Sequence, residues 1–452
     1  MTSSAASPAA SPAASPAAST ALLTDRYELT MVDAALRAGT HDRPSVFEAF
    51  GRSLPRGRRY GVVAGTGRLL ELIERFRFGD DELDWLRANE VVSAPTLDWL
   101  ADYRFTGTIT GYREGEVYFP GSPLLVVESS FAEGVVLETL ILSVLNYDSS
   151  VAGAAARMVS AARGRPLAEM GSRRTGERSA VAAARAAYIA GFGASSNLEA
   201  GRSWGVPTMG TAAHAFTMLH DSEEEAFRAQ VDALGPSTTL LVDTYDVPAG
   251  VATAVRVAGT SLGAVRLDSG DLLTLVHEVR EQLDSLGAAS TKITVTNDLD
   301  EYAIAALAAT PVDSYGVGTS LVTGSGHPAA GMVYKLVARQ GADGAWVSVA
   351  KKSADKATHG GRKHPVRLLG ASGTAVSETI YVGDAAPASA LGAGRALHVT
   401  LVVDGLVQDG FTGAEGVRAA RSHHASAVAE LPGEAFRLAA GEPVVPTVYE
   451  TV

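Results

Sequence analysis

Most stretches of this chain that pair residue type with a spacing suited to chemistry fall between 166 and 326. VPTMGTAAHAF sets His214 four residues past Gly210, just beyond an apolar run. An imidazole there can act as nucleophile, base or ligand. A lone histidine is often purely structural, but Gly210, Thr211, Ala212 and Ala213 leave space beside this ring. No second histidine stands at ligand spacing, so a metal role lacks companions. VRLDSGDL ends an apolar run in Arg266-Leu267-Asp268 and opens a helix with Ser269-Gly270-Asp271. Either Ser269 or Asp271 simply caps that helix, or Arg266 and Asp268 face a cavity and bind an anion and a hydroxylated ligand. GSRRTGER offers Arg173 and Arg174 as a fork for a carboxylate or phosphate, or as a solvated pair.

SYGVGTSLVTGSG (314–326) is rich in Gly, Ser and Thr after an apolar run. Such a loop offers N–H groups and close backbone approach to phosphate, although it is neither GxGxxG nor GxxxxGK[ST]. NDLDEYAIAAL has the spacing of a capping box, which accounts for Glu301. GTSLG (259–263) matches GxSxG but follows a helical stretch, so it is no nucleophile elbow. LPRGRRYG (54–61) and GGRKHPVR (360–367) read as solvated basic loops unless they meet a phosphate. Five of the six lysines, Lys335, Lys351, Lys352, Lys356 and Lys363, fall within 29 residues of an otherwise Arg-using chain. That clustering is either chance or a need for a compact ammonium.

Something must hold these residues together. From about 131 to 340, apolar runs alternate with helical stretches: PLAEMG (166–171), VPTMG (206–210), TLLVDTYD (239–246), GAVRLDSG (263–270), KITVTND (292–298) and VDSYGVG (312–318). This rhythm implies parallel strands in an open sheet or a closed barrel. Arg173, Arg174, His214, Asp243, Asp246, Asp268, Asp271, Asn297, Asp298, Gly316 and Gly318 all collect at the C-terminal ends of the runs. Six contributing segments favour a barrel mouth over a single switch point. Before this region, Thr24 or Asp25 caps a helix that Gly39 ends. SVFEAF (45–50) reads as a strand, a helix follows near 62–77, 105–119 reads as a hairpin turning at Glu114-Gly115, and 123–129 as another strand. After 345 the chain is again strand-rich. The expected fold class is therefore α/β: an irregular (β/α) barrel over 131–344, and a second α/β domain from 22–130 completed by 345–452.

The 452 residues are 46% hydrophobic and 19% charged, with a formal net charge of −12. This balance excludes a disordered chain and argues against nonspecific nucleic-acid binding and a basic membrane-surface protein. No apolar run approaches the ~18 residues of a spanning helix. The absence of cysteine excludes disulfides, thiolate catalysis and Cys-ligated metals, and suits a reducing cytoplasm. Residues 1–21 carry an AASP repeat with Pro at every fourth position and are expected to be a disordered tail without a secretory signal.

Taken in order, TDRYELTM, VFEAFGRSLPRGRRYGVVAGTG, EMGSRRTG, SSNLEAG, GTAAHAF, LLVDTYD, VRLDSGDL, TNDLDE, YGVGTSL and SxxKxTHGGRK resemble the nicotinate phosphoribosyltransferases, from about Leu23 to Arg367. The resemblance implies a type II phosphoribosyltransferase fold and a ligase-type enzyme of NAD biosynthesis and pyridine nucleotide salvage. Such an enzyme moves phosphoribosyl from phosphoribosyl pyrophosphate (PRPP) to nicotinate, giving nicotinate mononucleotide and pyrophosphate. It implies Mg²⁺, ATP hydrolysis coupled through a phosphohistidine at His214, and a homodimer with shared active sites. By the same resemblance Arg266 and Asp268 lie beside the aromatic ring and the ribose, and Arg173 holds the substrate carboxylate. Tyr27 stacks on the pyridine across the dimer interface, Gly316, Gly318 and Thr319 hold the 5′-phosphate, and Ser195 and Asn197 line the site. Similar enzymes of the nicotinamide branch carry an acid where Asn197 aligns and an aromatic ring where Met170 aligns. A carboxylate at 197 would repel nicotinate, so Asn197 favours it. His359 stands where the family has Pro. A type I phosphoribosyltransferase is disfavoured, because Asp243 and Asp246 are not adjacent. The alternatives are a nicotinamide phosphoribosyltransferase and a non-catalytic NAD-metabolite-binding protein on the same scaffold. A barrel hydrolase lacks its Ser/His/Asp set.

Overall fold

The computed structural model describes residues 18–55, 57–350 and 359–452. Short runs rich in Val, Ile and Leu form six parallel strands. Their spatial order is Ala194–Ser195, Leu167–Glu169, Ser314–Val317, Lys292–Val295, Ala264–Leu267 and Thr239–Leu241. Helices between them, such as Val247–Ala258 and Leu272–Ser285, cover the sheet, so Val265, Ile293, Val295 and Val317 are fully buried, as parallel strands require. The sheet curls into part of a barrel and stays open between its two end strands. Of the six expected runs, VPTMG contributes only a bridge, Thr208 beside Ser195. Pro207 has no N–H to extend that ladder.

That bridge has a structural consequence. Ser195 N–H donates to Pro207 O and Met209 N–H to Ser195 O, both at 2.9 Å. The chain then reaches Thr211 and Ala212, which accept from Arg266, and His214, which meets Thr244 just beyond Thr239–Leu241. Residues 208–214 thus span the open seam at the mouth.

A second, seven-stranded antiparallel sheet has the order Trp346–Ser348, Met332–Gln340, Pro44–Gly51, Pro123–Ser130, Thr108–Tyr112, His398–Val403 and Leu406–Val407. Met332–Gln340 lies inside the 131–344 stretch expected to form the barrel, yet it pairs with Pro44–Gly51. The chain leaves the barrel earlier because Gly324, Ser325 and Gly326 all have positive φ and turn it away. The expected hairpin at 105–119 does not form. Thr108–Tyr112 pairs with Pro123–Ser130, and Val117–Tyr118 pairs with Gly61–Val62. Glu114 explains this: Gly65 and Gly67 N–H and the Arg185 guanidinium all donate to its carboxylate, and they pull the turn aside. Of the expected tail, residues 1–17 lie outside the described residues, and Thr20 and Ala21 are buried, with Thr20 Oγ1 donating to Leu72 O.

The 25-residue helix Glu138–Ala162 joins the two halves. Leu140, Ile141, Val144 and Leu145 pack with Phe47 and Val127 under the antiparallel sheet. Val151, Ala152, Ala155 and Met158 pack with the barrel strands. The segment after 345 also does more than extend the large sheet. Lys363–Leu369 and Ala375–Val382 start a four-stranded sheet, and helix Gly413–Ala429 packs on barrel helix Glu177–Ile189.

Neither basic loop is solvated surface. Arg58 is buried and donates to Ser150 O at 3.0 Å and Gly324 O at 2.6 Å; burial lowers its pKa to about 10. Lys363 is buried against Glu48 at 2.5 Å, and Arg367 against Glu378 at 2.6 Å. Lys335 pairs with Glu138 at 3.6 Å. These two lysines serve packing, not an anion. Lys351, Lys352 and Lys356 lie outside the described residues, as does most of SxxKxTHGGRK.

Glu116 gathers Arg395 at 2.7 Å, His423 at 2.8 Å and Arg367 at 3.5 Å. Burial raises its carboxyl, but hydrogen bonds from His423 and Arg395 and the arginine charges outweigh that and bring it to about 2. A depressed carboxyl stabilises above its unfolded pKa and loses that contribution as pH falls toward the folded value. Glu116→Gln is expected to cost about 3 kcal/mol at neutral pH. It should also flatten the fall in melting temperature between pH about 5 and 2. Thermal scans across that window check both; an unchanged slope would refute the assignment.

Candidate active site

The mouth of the barrel is built where four neighbouring strands end. Arg266 lies within Ala264–Leu267 and reaches sideways. Its Nε donates to Thr296 Oγ1 at 2.9 Å, Nη1 to Thr211 Oγ1 at 2.9 Å and Ala212 O at 3.0 Å, and Nη2 to Asp268 Oδ1 at 3.2 Å. Four of its five N–H groups are therefore spent on the protein, and one stays free. Thr296 Oγ1 also donates to Asp268 Oδ1. Arg266 is thus the hub between two strand ends and the segment that closes the seam.

Asp243 follows Thr239–Leu241, and its side chain is 1% exposed. Its Oδ2 accepts from Asp268 N–H at 2.8 Å and Ser269 Oγ at 2.6 Å. Its Oδ1 is buried without a hydrogen-bond partner among the described residues. His214 opens the helix His214–Leu219, with Nδ1 3.2 Å from Thr244 Oγ1. Its Nε2 stands 3.9 Å from Asp243 Oδ1 and 3.8 Å from Asp268 Oδ2, and the side chain is 36% exposed. An accessible ring nitrogen facing two carboxylates suits a nucleophile or base. Among the described residues no three His, Cys, Asp or Glu side chains are arranged to hold a metal by themselves.

The wall continues through glycines. A Cβ on Gly316 would come within 2.7 Å of Met170 Sδ and Thr296 Cγ2. Only glycine lets Met170 pack beside the Arg266 hub at this point. Gly318 precedes the four-residue turn Thr319–Val322, where Thr319 is exposed. At the opposite end, Leu167–Glu169 and Ala194–Ser195 run side by side. Asn197 caps Leu198–Trp204 through Ala200 N–H at 2.9 Å and donates from Nδ2 to Ser172 Oγ at 3.0 Å. Arg173, next to Ser172, is exposed.

The structure therefore brings His214, Arg266 and Asp268 together, with Gly316 beside them and Asn197 and Arg173 along the same rim. Ser195, expected in the lining, sits elsewhere, and Tyr27, expected to act across a dimer interface, lies on the surface of an early helix. Ser195 is fully buried with its hydroxyl on Glu169, behind the lining. Tyr27 projects from helix Arg26–Ala38, 46% exposed, with Glu138 as its neighbour. Burial, Glu138 and Glu28 push its phenol to about 12. In the sequence Asp243 stands with the polar residues at the strand ends without an individual role, Thr211 only leaves space beside His214, and Thr296 and Glu169 are not singled out. A polar residue at the C-terminal end of an apolar run, as in PLAEM and KITVT, was the available signal.

Comparison with known proteins places the whole chain in one family. Residues 22–146 match the nicotinate phosphoribosyltransferase N-terminal domain. A Mycobacterium tuberculosis nicotinate phosphoribosyltransferase is 57% identical over 435 residues, covering 94% of both chains. The Bacillus subtilis enzyme is 37% identical, covering 78% of this chain and 74% of its own. The crystal structure of human nicotinic acid phosphoribosyltransferase superposes with a TM-score of 0.79 at 26% identity, covering 95% of this chain and 97% of its own. On this identity and coverage, and with the same architecture, the chain belongs to the nicotinate phosphoribosyltransferase family.

Proposed function

We propose that this chain transfers phosphoribosyl from PRPP to the pyridine nitrogen of nicotinate in NAD biosynthesis and salvage, with ATP hydrolysis coupled through phosphorylation of His214. The observation that carries the proposal is His214 Nε2 facing Asp243 and Asp268 at the mouth of a half-open barrel. In the tautomer whose Nδ1–H donates to Thr244, the lone pair sits on Nε2, the atom that would attack the terminal phosphorus of ATP.

Two carboxylates beside that nitrogen would repel an incoming phosphate unless a cation lies between them. The unpartnered Asp243 Oδ1 and the neighbouring Asp268 Oδ2 are the oxygens that would hold Mg²⁺. When bound, the ion supplies charge neutralisation for the phosphates of ATP and PRPP. Arg266 keeps Asp268 fixed by its side-chain bond and offers its one free N–H to the substrate. Asp268 faces the ribose hydroxyls, and the Gly316–Thr319 turn takes the 5′-phosphate on backbone N–H groups. Holding an electrophilic ribose and a weak pyridine nucleophile in line is the main catalytic task.

Arg173 pairs with the nicotinate carboxylate. Tyr27, exposed on helix Arg26–Ala38, would reach the ring bound by a second copy, which makes the working unit a homodimer. A cysteine-free chain with these substrates fits the cytoplasm.

Purified chain given PRPP, Mg²⁺ and nicotinate is expected to form the mononucleotide, faster with ATP, and to use nicotinamide poorly. Product from nicotinamide alone would overturn the substrate assignment. His214→Ala should abolish ATPase activity and phosphoenzyme while slow PRPP-dependent transfer survives; phosphate uptake by that variant would sink the phosphohistidine. Arg173→Ala should raise KM for nicotinate about tenfold to a hundredfold, the worth of one charged hydrogen bond. KM for PRPP should move far less, and steady-state kinetics with each substrate varied reads the difference.

A further inference from the structure

Glu169 ends the strand Leu167–Glu169 and is completely buried. Among the described residues no Arg, Lys or His is paired with it; burial raises its carboxyl, and hydrogen bonds from Ser195 and Gly171 oppose that. A buried carboxyl without a cation is costly to keep. Its bonds show what it holds. Oε1 accepts from Gly171 N–H, and Oε2 accepts from Ser195 Oγ at 2.5 Å. Ser195 has one hydroxyl hydrogen, which goes to Glu169. Its oxygen is thereby left to accept, and it takes Asn197 N–H at 2.9 Å.

Asn197 is then fixed from three sides. Its backbone is held by Ser195, its Oδ1 by Ala200 N–H, and its Nδ2 by Ser172. The capping bond turns the amide oxygen toward Ala200 N–H, and with one Nδ2 hydrogen on Ser172 the second N–H of the amide is left to meet a ligand. Gly171 and Ser172 lead directly into Arg173, so the same carboxyl also anchors the loop that carries the guanidinium. The rim at this end therefore presents the Asn197 amide N–H and the Arg173 guanidinium as donors. A pyridine carboxylate accepts from both groups, whereas the NH₂ of a carboxamide would face another donor.

We propose that Glu169 is a positioning residue that, through Ser195 and Gly171, holds Asn197 and Arg173 with their N–H donors toward the substrate and so sets the preference for a pyridine carboxylate over its carboxamide. This rests on the phosphoribosyl-transfer reading above.

Glu169→Gln preserves volume but adds an NH₂ group. Whichever way it turns, that NH₂ meets Gly171 N–H or displaces the Ser195 hydroxyl hydrogen toward Asn197 N–H. The test measures kcat and KM of wild type, Glu169→Gln and Ser195→Ala with nicotinate, nicotinamide and PRPP, together with ³²P incorporation from ATP. The ratio of kcat/KM for nicotinate over nicotinamide is expected to fall at least tenfold in both variants, mainly through KM for nicotinate. KM for PRPP and phosphoenzyme formation should stay within about twofold, a split that general loosening of the fold does not produce. An unchanged ratio, or a parallel fall for nicotinate, nicotinamide and PRPP, would overturn the role of Glu169. If Glu169→Gln does not fold, Ser195→Ala decides, because it cuts the link to Asn197 while keeping the carboxyl. A wild-type chain that turns over neither pyridine overturns both this inference and the reading beneath it; a nicotinate-active wild type with an unmoved ratio overturns this inference alone.

Discussion

The reactive centre depends on how Asp243 divides its two oxygens. One takes the backbone N–H of Asp268 and the hydroxyl of Ser269, which ties the end of one strand to the turn after its neighbour. The other is left buried and free, facing His214. A carboxylate that has satisfied half of its demand in this way is both rigid and available. Asp268 inherits its position from the same contact, and Arg266 and Thr296 then hold its side chain. The result is an imidazole between two acids whose geometry is set before any substrate arrives, which is the condition for electrostatic preorganisation.

That arrangement needs a scaffold that does not shear. The barrel is open on one side, and residues 208–214 cross the gap, so His214 sits on the segment that completes it. The helix Glu138–Ala162 gives one half of its apolar surface to each of two cores, and it cannot move relative to either without exposing buried side chains. Glu114 and Glu116 add buried ion pairs between the early strands and partners far along the chain, Arg185, Arg367 and Arg395. Such pairs gain their value mainly from the cost of breaking them, since each leaves a buried charge behind.

The lysines and arginines show where local reading stops. Lys363 and Arg367 were expected in a solvated loop because their neighbours are basic and polar. Lys363 instead finds Glu48 across 315 residues, and Arg367 finds Glu378 and Glu116. Glu48 and Glu116 lie far away in sequence, whereas Glu378 is the cross-strand partner of Arg367 in the next strand. The hairpin expected at Glu114-Gly115 fails for a related reason: its turn is satisfied by Gly65, Gly67 and Arg185 and not by its own flanking strands. The parallel strands, by contrast, were legible, because a Val- and Ile-rich run bounded by turn residues is a local pattern that burial on both faces rewards.

By itself the sequence determined the kinds of element, their alternation, and which reactive side chains lie at strand ends. Periodicity and turn chemistry act over a few residues, and the motif series from Leu23 to Arg367 marked the family. The tertiary structure alone decided which acids face His214, that Ser195 stands behind the lining while Asn197 presents an N–H, and that 208–214 closes an open barrel. It also decided that Met332–Gln340 leaves the barrel for the antiparallel sheet. Each of these is a contact between residues distant in the chain. Such contacts are fixed by how two cores and a shared helix pack at once, and no local window contains that information.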